Sequence, residues 1–598
     1  MGLGCLSNFE NEATSYDDSL FIIPHYNEVI AKIIERVEFS AEAPIRVLDI
    51  GCGTGNLSIA ILKRFPNATV RAIDFSQEMI SVAESKLSGN DRICFFTQDM
   101  FAIDAHEHPY YDLIVSSFVL HNYEESWRYG KFFSKAIDLL SVDGRIVIGD
   151  LILCESHDEQ EWEQQAQKAE MRRNGFTEDD VTYWINRLDA EDTPRPIAEI
   201  EEDMLRSGFN AVVSTKIGCT AVFSAVRPLD LIQVKSELLM QGIQETDRVV
   251  EIFYKQNPEA VRKTGNNGVF LILNDTMQVL ASFLHDMNSR SPYRVVEVDD
   301  NNSALHKNNR DIGVAVAFKP YPKWYFTEIE SNKNFSGYFV LEGDRYLHLA
   351  YKGCAFCEEE MCKFCSVDRR SDDPNNLTDH TAEDICTALD FMFQHNHIPS
   401  DFHFCLGGGT YLPLEKNVEF FCKIVSCIRK YSMSNPIWIE MIPPSAGGIL
   451  RLIKAGATSF GFNIEILNEE NRRKFCPGKS KEVAIQDYKD AFKAVKETLG
   501  ANKIGSCILV GLDDWNGLKA SVDMLVEAKV FPCVLALKFF DGAKMELEPQ
   551  AQLLLERNFI ELSKYAAQTA SENNIDFRKN EGCLHCPCCT IIHDLLPT

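Results

Sequence analysis

The sequence predicts an α/β protein built from two modules: an open, seven-stranded, mostly parallel sheet near the N-terminus and a partial (β/α)6 barrel in the C-terminal half. Three features carry that reading. Ile45–Ile50 is a short apolar run that enters the glycine turn Gly51-Cys52-Gly53-Thr54-Gly55 and then a helical pattern, Leu57–Arg64. That is the strand–turn–helix layout of a nucleotide-binding unit. From residue 341 onward, short apolar strands alternate with helical segments six times, as parallel βα units do. The first of those strands, Tyr346–Tyr351, delivers Cys354, Cys357, Cys362 and Cys365 to its end. Thiols so closely spaced are soft ligands for zinc or iron–sulfur.

At 598 residues with 45% apolar content the chain is long enough for several cores. It divides into residues 1–227, 228–340, 341–580 and a cysteine-rich tail, 581–598. The net charge of −28 disfavours nucleic acid and anionic membrane as partners, because phosphate contacts need Lys and Arg. No apolar run approaches the roughly 20 residues of a membrane helix. Met1–Ala13 shows neither the charged nor the apolar region of a secretory leader, and Leu6 breaks the myristoylation pattern that Gly2 opens. Twenty cysteines without an export signal point to a reducing, cytoplasmic setting, with thiols free or metal-bound.

In the first module, a second strand, Thr69–Ile73, ends in Asp74, whose carboxylate can accept hydrogen bonds from both ribose hydroxyls of a nucleoside. Strands follow at Ile93–Phe96, just before Asp99, at Asp112–Phe118 and at Gly144–Leu151, and the pair Ala211–Lys216 and Thr220–Ala225 closes the sheet as a hairpin. The turn reads D-x-G-x-G-x-G rather than the dinucleotide pattern G-x-G-x-x-G. With these motifs in order, residues ~20–227 resemble the class I S-adenosylmethionine (SAM)-dependent methyltransferases, which have a Rossmann-like fold. The resemblance implies that Asp49, Gly51, Gly53 and Gly55 line the methionine part of SAM, that Asp74 binds the ribose, and that Asp99 and Met100 border the adenine. It also implies that Ser116–His121 face the transferred methyl group. A sulfonium methyl is already activated, so the protein supplies in-line positioning and a base, for which His121 is the candidate on placement, against an ordinary structural role. The acidic, helical stretch Ser156–Pro196 reads as a lid over a small-molecule substrate.

Residues 228–340 carry helical patterns at Leu229–Gln241 and Asp247–Tyr254, a turn at Lys263–Gly268 and a strand at Val269–Leu273. They read as a small α/β lead-in domain. The aromatic, proline-rich connector Pro320–Tyr325 reads as packing.

In the third region the strands are Phe402–Leu406, Ile437–Met441, Ser459–Ile464, Ile504–Val510 and Cys533–Leu537, with helices between them. Ligands gather at the C-terminal ends of parallel strands. Those ends bear Cys354, the turn Gly407-Gly408-Gly409, then Asn463, Glu465, Arg472, Arg473 and Lys479. A structural zinc knuckle on four thiols accounts for the cysteines alone and not for this convergence. Most of residues 341–580 resemble the radical SAM superfamily, whose barrel is TIM-like. The resemblance implies a 4Fe–4S cluster on three cysteines, with an iron left open to chelate SAM, and reductive cleavage to a 5′-deoxyadenosyl radical fed by an electron donor such as flavodoxin or ferredoxin. Cys362 and Cys365 match the family's last two ligands. The spacing departs from C-x3-C-x2-C, so Cys354 or Cys357 supplies the first, and strand-end placement favours Cys354. Gly407–Gly409 would hold the methionine amino group, and Glu465 and Arg473 are candidates for the rest of SAM. The tail cysteines Cys583, Cys586, Cys588 and Cys589 read as an auxiliary cluster or metal site, a redox pair, or a flexible tail, with His585 as a further ligand.

Taken together, the sequence predicts an enzyme that uses SAM twice, once for methyl transfer and once for radical chemistry, in small-molecule or cofactor biosynthesis. Two alternatives belong to other classes: an N-terminal module that binds SAM without turnover, and a cysteine domain that serves as a zinc or iron–sulfur scaffold.

Overall fold

The computed structural model describes residues 13, 16–104, 108–123, 127–244, 268–282, 291–299, 302–318, 321–330, 333–350, 354–356, 358–365, 380–410, 412–538, 549–576 and 579–596. The chain forms two compact units, Met1–Asp230 and Leu231–Thr598.

In the first unit a 3-10 turn, Tyr16–Ile22, precedes α1 (Tyr26–Arg36), β1 (Arg46–Ile50), α2 (Asn56–Arg64), β2 (Thr69–Asp74), α3 (Gln77–Lys86), β3 (Ile93–Thr97), β4 (Tyr111–Ser117), α4 (Trp127–Leu139) and β5 (Leu140–Leu151). Two lid helices, α5 (His157–Arg173) and α6 (Glu178–Glu191), then α7 (Ile197–Arg206) lead to the hairpin β6 (Asn210–Ile217) and β7 (Thr220–Val226). The sheet order is β3-β2-β1-β4-β5-β7-β6, parallel except for β7, which runs against both β5 and β6. The sequence expectation of seven strands closed by a hairpin therefore holds.

β1 and β4 are buried almost throughout because helices cover both faces of the sheet. On one face Phe132 and Phe133 of α4 are fully buried; on the other, Val29 and Ile33 of α1 are. Full burial of such a side chain stabilises by about 1.5–3 kcal/mol. Gly149 marks where α1 presses closest: a Cβ there would lie 2.3 Å from Val29 Cγ1.

The second unit opens with a helix, Leu231–Gln241. A five-stranded antiparallel sheet follows, made of β8 (Gly268–Leu273), β9 (Met277–Ser282), β10 (Tyr293–Glu297), β11 (Ser303–Lys307) and β12 (Arg310–Phe318), in the order β10-β11-β12-β8-β9. Of these the sequence reading had found only β8. The expected helix Asp247–Tyr254 and most of the turn Lys263–Gly268 lie outside the described residues. A short ribbon, β13 (Glu328–Glu330) and β14 (Lys333–Asn334), comes next. The second large sheet is β15 (Phe339–Glu342), β16 (Tyr346–Leu349), β17 (His403–Gly407), β18 (Ile437–Glu440), β19 (Ser459–Gly461), β20 (Ile504–Val510) and β21 (Phe531–Ala536). They pair in that order: β15 is antiparallel to β16, and β16 to β21 are all parallel. Six consecutive parallel strands with intervening helices match the predicted βα repeat. The expected helix Lys481–Leu499 divides into Pro477–Glu482 and Ile485–Leu499.

The C-terminal tail is ordered. Its turn Gly582–His585 lies on the strands: a Cβ on Gly582 would meet Trp438 Cβ at 2.1 Å, and one on Gly505 would meet Leu584 Cδ1 at 1.6 Å. Leu280 N donates to Cys588 O at 2.9 Å, tying the tail to β9 as well. Cys586 and Cys588 are buried, so the flexible-tail alternative fails for these residues.

Candidate active sites at the ends of the parallel strands

In the first unit, a cavity of about 380 Å³ opens beyond β1, β2 and β4. Gly51, Gly53, Asp74, Asp99 and Met100 line it, with Phe101, Ser117 and Phe118. Gly53 takes φ +51°, a left-handed backbone that favours glycine, and its N–H donates to Asp74 Oδ2 at 2.9 Å. Ser76 N donates to Asp74 Oδ1 at 2.9 Å, so both carboxylate oxygens are oriented at the end of β2. Asp99 accepts from Phe101 N at 3.0 Å.

Two predicted residues lie behind the wall. Asp49 is buried and accepts from Ser58 Oγ at 2.6 Å; burial pushes its carboxyl up to about 7, although the Ser58 bond works against that. Gly55 caps α2 with φ +86°, where a Cβ would sit 3.3 Å from Ala83 Cβ. Ser116 donates to Ile50 O at 2.8 Å and so joins the ends of β4 and β1.

Tyr16 also lines this cavity, and no sequence pattern had marked it. The neighbouring Asp17 anchors its 3-10 turn. Its carboxylate accepts from Thr54 Oγ1 at 2.7 Å, Asn56 Nδ2 at 2.9 Å and Lys86 Nζ at 2.7 Å, which together hold the turn to the glycine loop.

A second cavity, of about 360 Å³, adjoins the first and shares Tyr16, Phe118 and Asn122 with it. The lid helices wall it through Gln164, Trp184 and Leu188, and His121 lies on its lining. His121 Nδ1 is 2.5 Å from Asp150 Oδ1, while Asp150 Oδ2 accepts from Leu120 N at 2.6 Å. Asn122 Nδ2 lies 3.0 Å from His121 Nε2, and Asp192 Oδ1 is 3.8 Å from it. A neutral ring carrying its proton on Nδ1 donates to Asp150 and leaves Nε2 as the acceptor. Burial works against the imidazolium, but the Asp150 and Asp192 carboxylates outweigh it and raise the His121 pKa above the usual imidazole value. Asp150 was missed by the sequence reading. Its signal was a carboxylate ending the apolar run of β5 beside the strand that leads to His121.

In the second unit, a cavity of about 200 Å³ gathers Cys354, Cys362 and Cys365 with Gly408, Gly409, Asn463, Glu465 and Lys479. Cys357 lies outside the described residues. Backbone bonds position the cysteine loop: Ala355 N to Thr410 O at 2.7 Å, Lys363 N to Phe475 O at 2.9 Å and Cys365 N to Cys362 O at 2.9 Å. Thr410 N also donates to Cys354 Sγ at 3.4 Å. Cys476, unremarked in the sequence, lies beside Cys362, and its thiol together with Lys479 lowers the Cys362 pKa against the effect of burial. Lys479 Nζ is 2.5 Å from Glu465 Oε1, with both side chains largely buried. Glu465 has φ +56°, an unusual backbone for glutamate, fixed because its N–H donates to Cys507 O and its carbonyl accepts from Leu509 N. Gly407 sits behind the cavity, where a Cβ would lie 2.2 Å from Glu440 Cβ. Arg473 is corrected: it is exposed and faces Glu469 at 3.6 Å, away from the cysteines. The cation beside Glu465 is Lys479.

Among the described residues, the tail cysteines do not come together with a third donor at single-ion spacing. Cys586 and Cys588 interact, and Cys583 lies near Cys405 and Cys507.

Comparison with known proteins bears on the first unit. Residues 48–146 match the model of a family described as a methyltransferase domain. Malonyl-acyl-carrier protein O-methyltransferase 1 of Ilyobacter polytropus is 30% identical over 139 residues, 23% of this chain and 48% of the relative. The corresponding enzyme of Halalkalibacterium halodurans is 35% identical over 96 residues, 16% of this chain and 35% of that one. Trans-aconitate 2-methyltransferase of Rhodococcus jostii is 37% identical over 62 residues, 10% and 24% of the two chains. This chain thus spans about half or less of the curated relatives it matches. Among solved structures, Haemonchus contortus phosphoethanolamine N-methyltransferase 2 with bound SAM shares 15% identity at a TM-score of 0.29, over 37% of this chain and 60% of that one. Among the described residues no helix is long and apolar enough to cross a membrane.

Proposed function

We propose that the first unit transfers a methyl group from SAM to a small-molecule acceptor. One observation carries the reading: a cavity with an oriented carboxylate at the end of β2 shares three wall residues with a second cavity that holds the His121–Asp150 pair. SAM in the first cavity would place its ribose on Asp74 and its adenine by Asp99 and Met100. The acceptor in the second would present its nucleophile past Phe118 and Asn122, with His121 Nε2 taking the proton as the methyl moves and Asp150 holding the ring. The test is calorimetric titration with SAM, then release of S-adenosylhomocysteine over a panel of phenols, amines and acids. A wild-type chain that fails to bind SAM sinks the proposal.

A second reading of His121 has its own support. The curated relatives act, by their names, on malonyl-acyl-carrier protein and trans-aconitate. The raised pKa of His121 favours an imidazolium, which would hold an anionic acceptor rather than deprotonate a neutral one. The pH profile separates the two: activity rises with pH for a base and falls for a cationic anchor.

For the second unit we propose radical SAM chemistry. The residues suit a 4Fe–4S cluster: three thiol donors converge from one loop on a cavity, and Cys362 is biased toward thiolate. Cys354, Cys362 and Cys365 would hold it, with Cys357 the second choice for the first ligand. When bound and reduced by a flavodoxin- or ferredoxin-like donor, the cluster supplies one electron that cleaves SAM to methionine and a 5′-deoxyadenosyl radical. Gly408 and Gly409 would offer backbone groups to the methionine end of SAM, and the Lys479–Glu465 pair would orient its charged groups. The assay is 5′-deoxyadenosine formation after anaerobic reconstitution. Zinc in place of iron, lost in Cys362→Ala, would end this reading.

A further inference from the structure

A third constellation lies on the wall of the acceptor cavity, away from His121. His25 precedes α1, Glu163 belongs to the lid helix α5, and Cys219 sits in the turn between β6 and β7. Three segments distant in sequence thus contribute one donor each: an imidazole nitrogen, a carboxylate oxygen and a sulfur. These three atoms all lie within 4.8 Å of one another, the one such group among the described residues. We propose that His25, Glu163 and Cys219 bind a divalent cation of the zinc type, which clamps α5 to the sheet and offers an open position to the acceptor cavity.

The geometry favours a shared ion over a nucleophilic relay. A Cys–His–Glu relay uses the two ring nitrogens separately, one for the thiol and one for the carboxylate. Here Nε2 is 3.0 Å from Glu163 Oε2, and Nδ1 instead faces the exposed Glu28 at 3.7 Å. The carboxylate, the sulfur and an imidazole nitrogen thus share one small region, and the other ring nitrogen turns to Glu28. Glu163 and Cys219 are both buried, where a cation is the strongest compensation for a carboxylate.

The backbone is shaped for this cluster. Gly218 adopts φ +57°, and a Cβ there would lie 2.3 Å from His25 Nε2 and 2.6 Å from Glu163 Oε1. His25 itself takes a left-handed φ of 55°, uncommon outside glycine, which turns its ring toward the lid. The donor set of nitrogen, carboxylate oxygen and thiolate suits zinc and excludes magnesium or calcium, which take oxygen. Three protein ligands leave the fourth tetrahedral position open, and both Glu163 and Cys219 line the acceptor cavity. An acceptor oxygen, nitrogen or thiol could fill it.

The proposal stands apart from the methyl-transfer reading, because its readout is metal content. The full chain, purified and dialysed against excess zinc and then metal-free buffer, is compared with Cys219→Ser, His25→Ala and the isosteric Glu163→Gln. We expect each variant to hold about one zinc equivalent less than wild type, while SAM affinity in the neighbouring cavity is retained. Cobalt substitution should give a thiolate-to-cobalt absorption band whose intensity per chain is lower in Cys219→Ser than in wild type by one site's share. Should His25→Ala misfold, as loss of SAM binding would show, Glu163→Gln decides, since its amide keeps a hydrogen bond to His25 but is a poor ligand. Equal zinc content in wild type and Glu163→Gln, or a cobalt band of undiminished intensity in Cys219→Ser, overturns the proposal.

Discussion

The donor cavity beyond β1 and the cysteine cavity beyond β16 both sit where parallel strands finish, yet they are built from opposite materials. The first is lined by glycine backbone, two carboxylates and aromatic rings. The second is lined by three thiols and a largely buried Lys479–Glu465 pair. Parallel strands bring loops together at one end in both cases, and the residue types in the loops decide the chemistry. A neutral backbone turn with carboxylates suits the hydroxyls and cationic sulfonium of intact SAM. Converging thiols suit a redox metal. The same small molecule is therefore expected to meet two fates in one chain.

The largest expected effect comes from the thiols. Cys362→Ala should abolish 5′-deoxyadenosine formation by the reconstituted protein while SAM binding to the first unit persists; residual cleavage at the wild-type rate would put the cluster elsewhere. Next is His121→Ala, for which we expect kcat for methyl transfer to fall by roughly 10²–10⁴, the range of general acid–base catalysis, with SAM affinity little changed.

The pH profile sharpens that second prediction. Because the folded His121 pKa is raised, chiefly against burial by Asp150, a base role puts the rising limb above the ordinary imidazole value of about 6.5. Asp150→Asn removes the carboxylate and should move that limb to lower pH. For stability the sign is the reverse: the His121–Asp150 pair stabilises the fold fully below the unfolded imidazole pKa, and the contribution fades as pH rises through the folded value. A falling limb in activity would instead support the imidazolium anchor.

Asp74→Ala should weaken SAM binding by about 10- to 100-fold in calorimetry, since it removes two charge-assisted acceptors for the ribose and frees Gly53 N–H from its partner. Unchanged affinity would displace the ribose from β2. The last prediction concerns the tail and leaves both cavities untouched. Leu584 is 1% exposed and seated against Gly505, so Leu584→Ala should cost about 2–5 kcal/mol of stability in the second unit, read as an earlier melting transition. SAM binding in the first unit should not move.

Legibility in the sequence followed the locality of the signal. The glycine turn, Asp74 and the cysteine loop were visible because the residues that act together are adjacent, or separated by one βα unit of regular length. The strands of both large sheets other than β15 were visible, most of them as buried apolar runs, whereas β15, antiparallel at its edge, was not read. The antiparallel sheet of residues 268–318 was largely missed, because its strands mix exposed and buried positions and a period of two over five residues is a weak pattern. Arg473 was misassigned for a related reason. Side chains one or a few positions apart on a short helix point to different sides, and a string of Arg, Lys and Glu does not say which of them faces inward.

The sequence by itself determined the two βα modules and where most of their strands lie along the chain, since hydrophobic burial and short right-handed connections leave few alternatives. Only the tertiary structure decided the partnerships made across long separations: Asp150 with His121, Tyr16 with the donor cavity, Lys479 with Glu465, and His25 with Glu163 and Cys219. These depend on which face a side chain takes once helices and strands are stacked, and hydrogen bonds and ion pairs lock in only after apolar packing has fixed those faces.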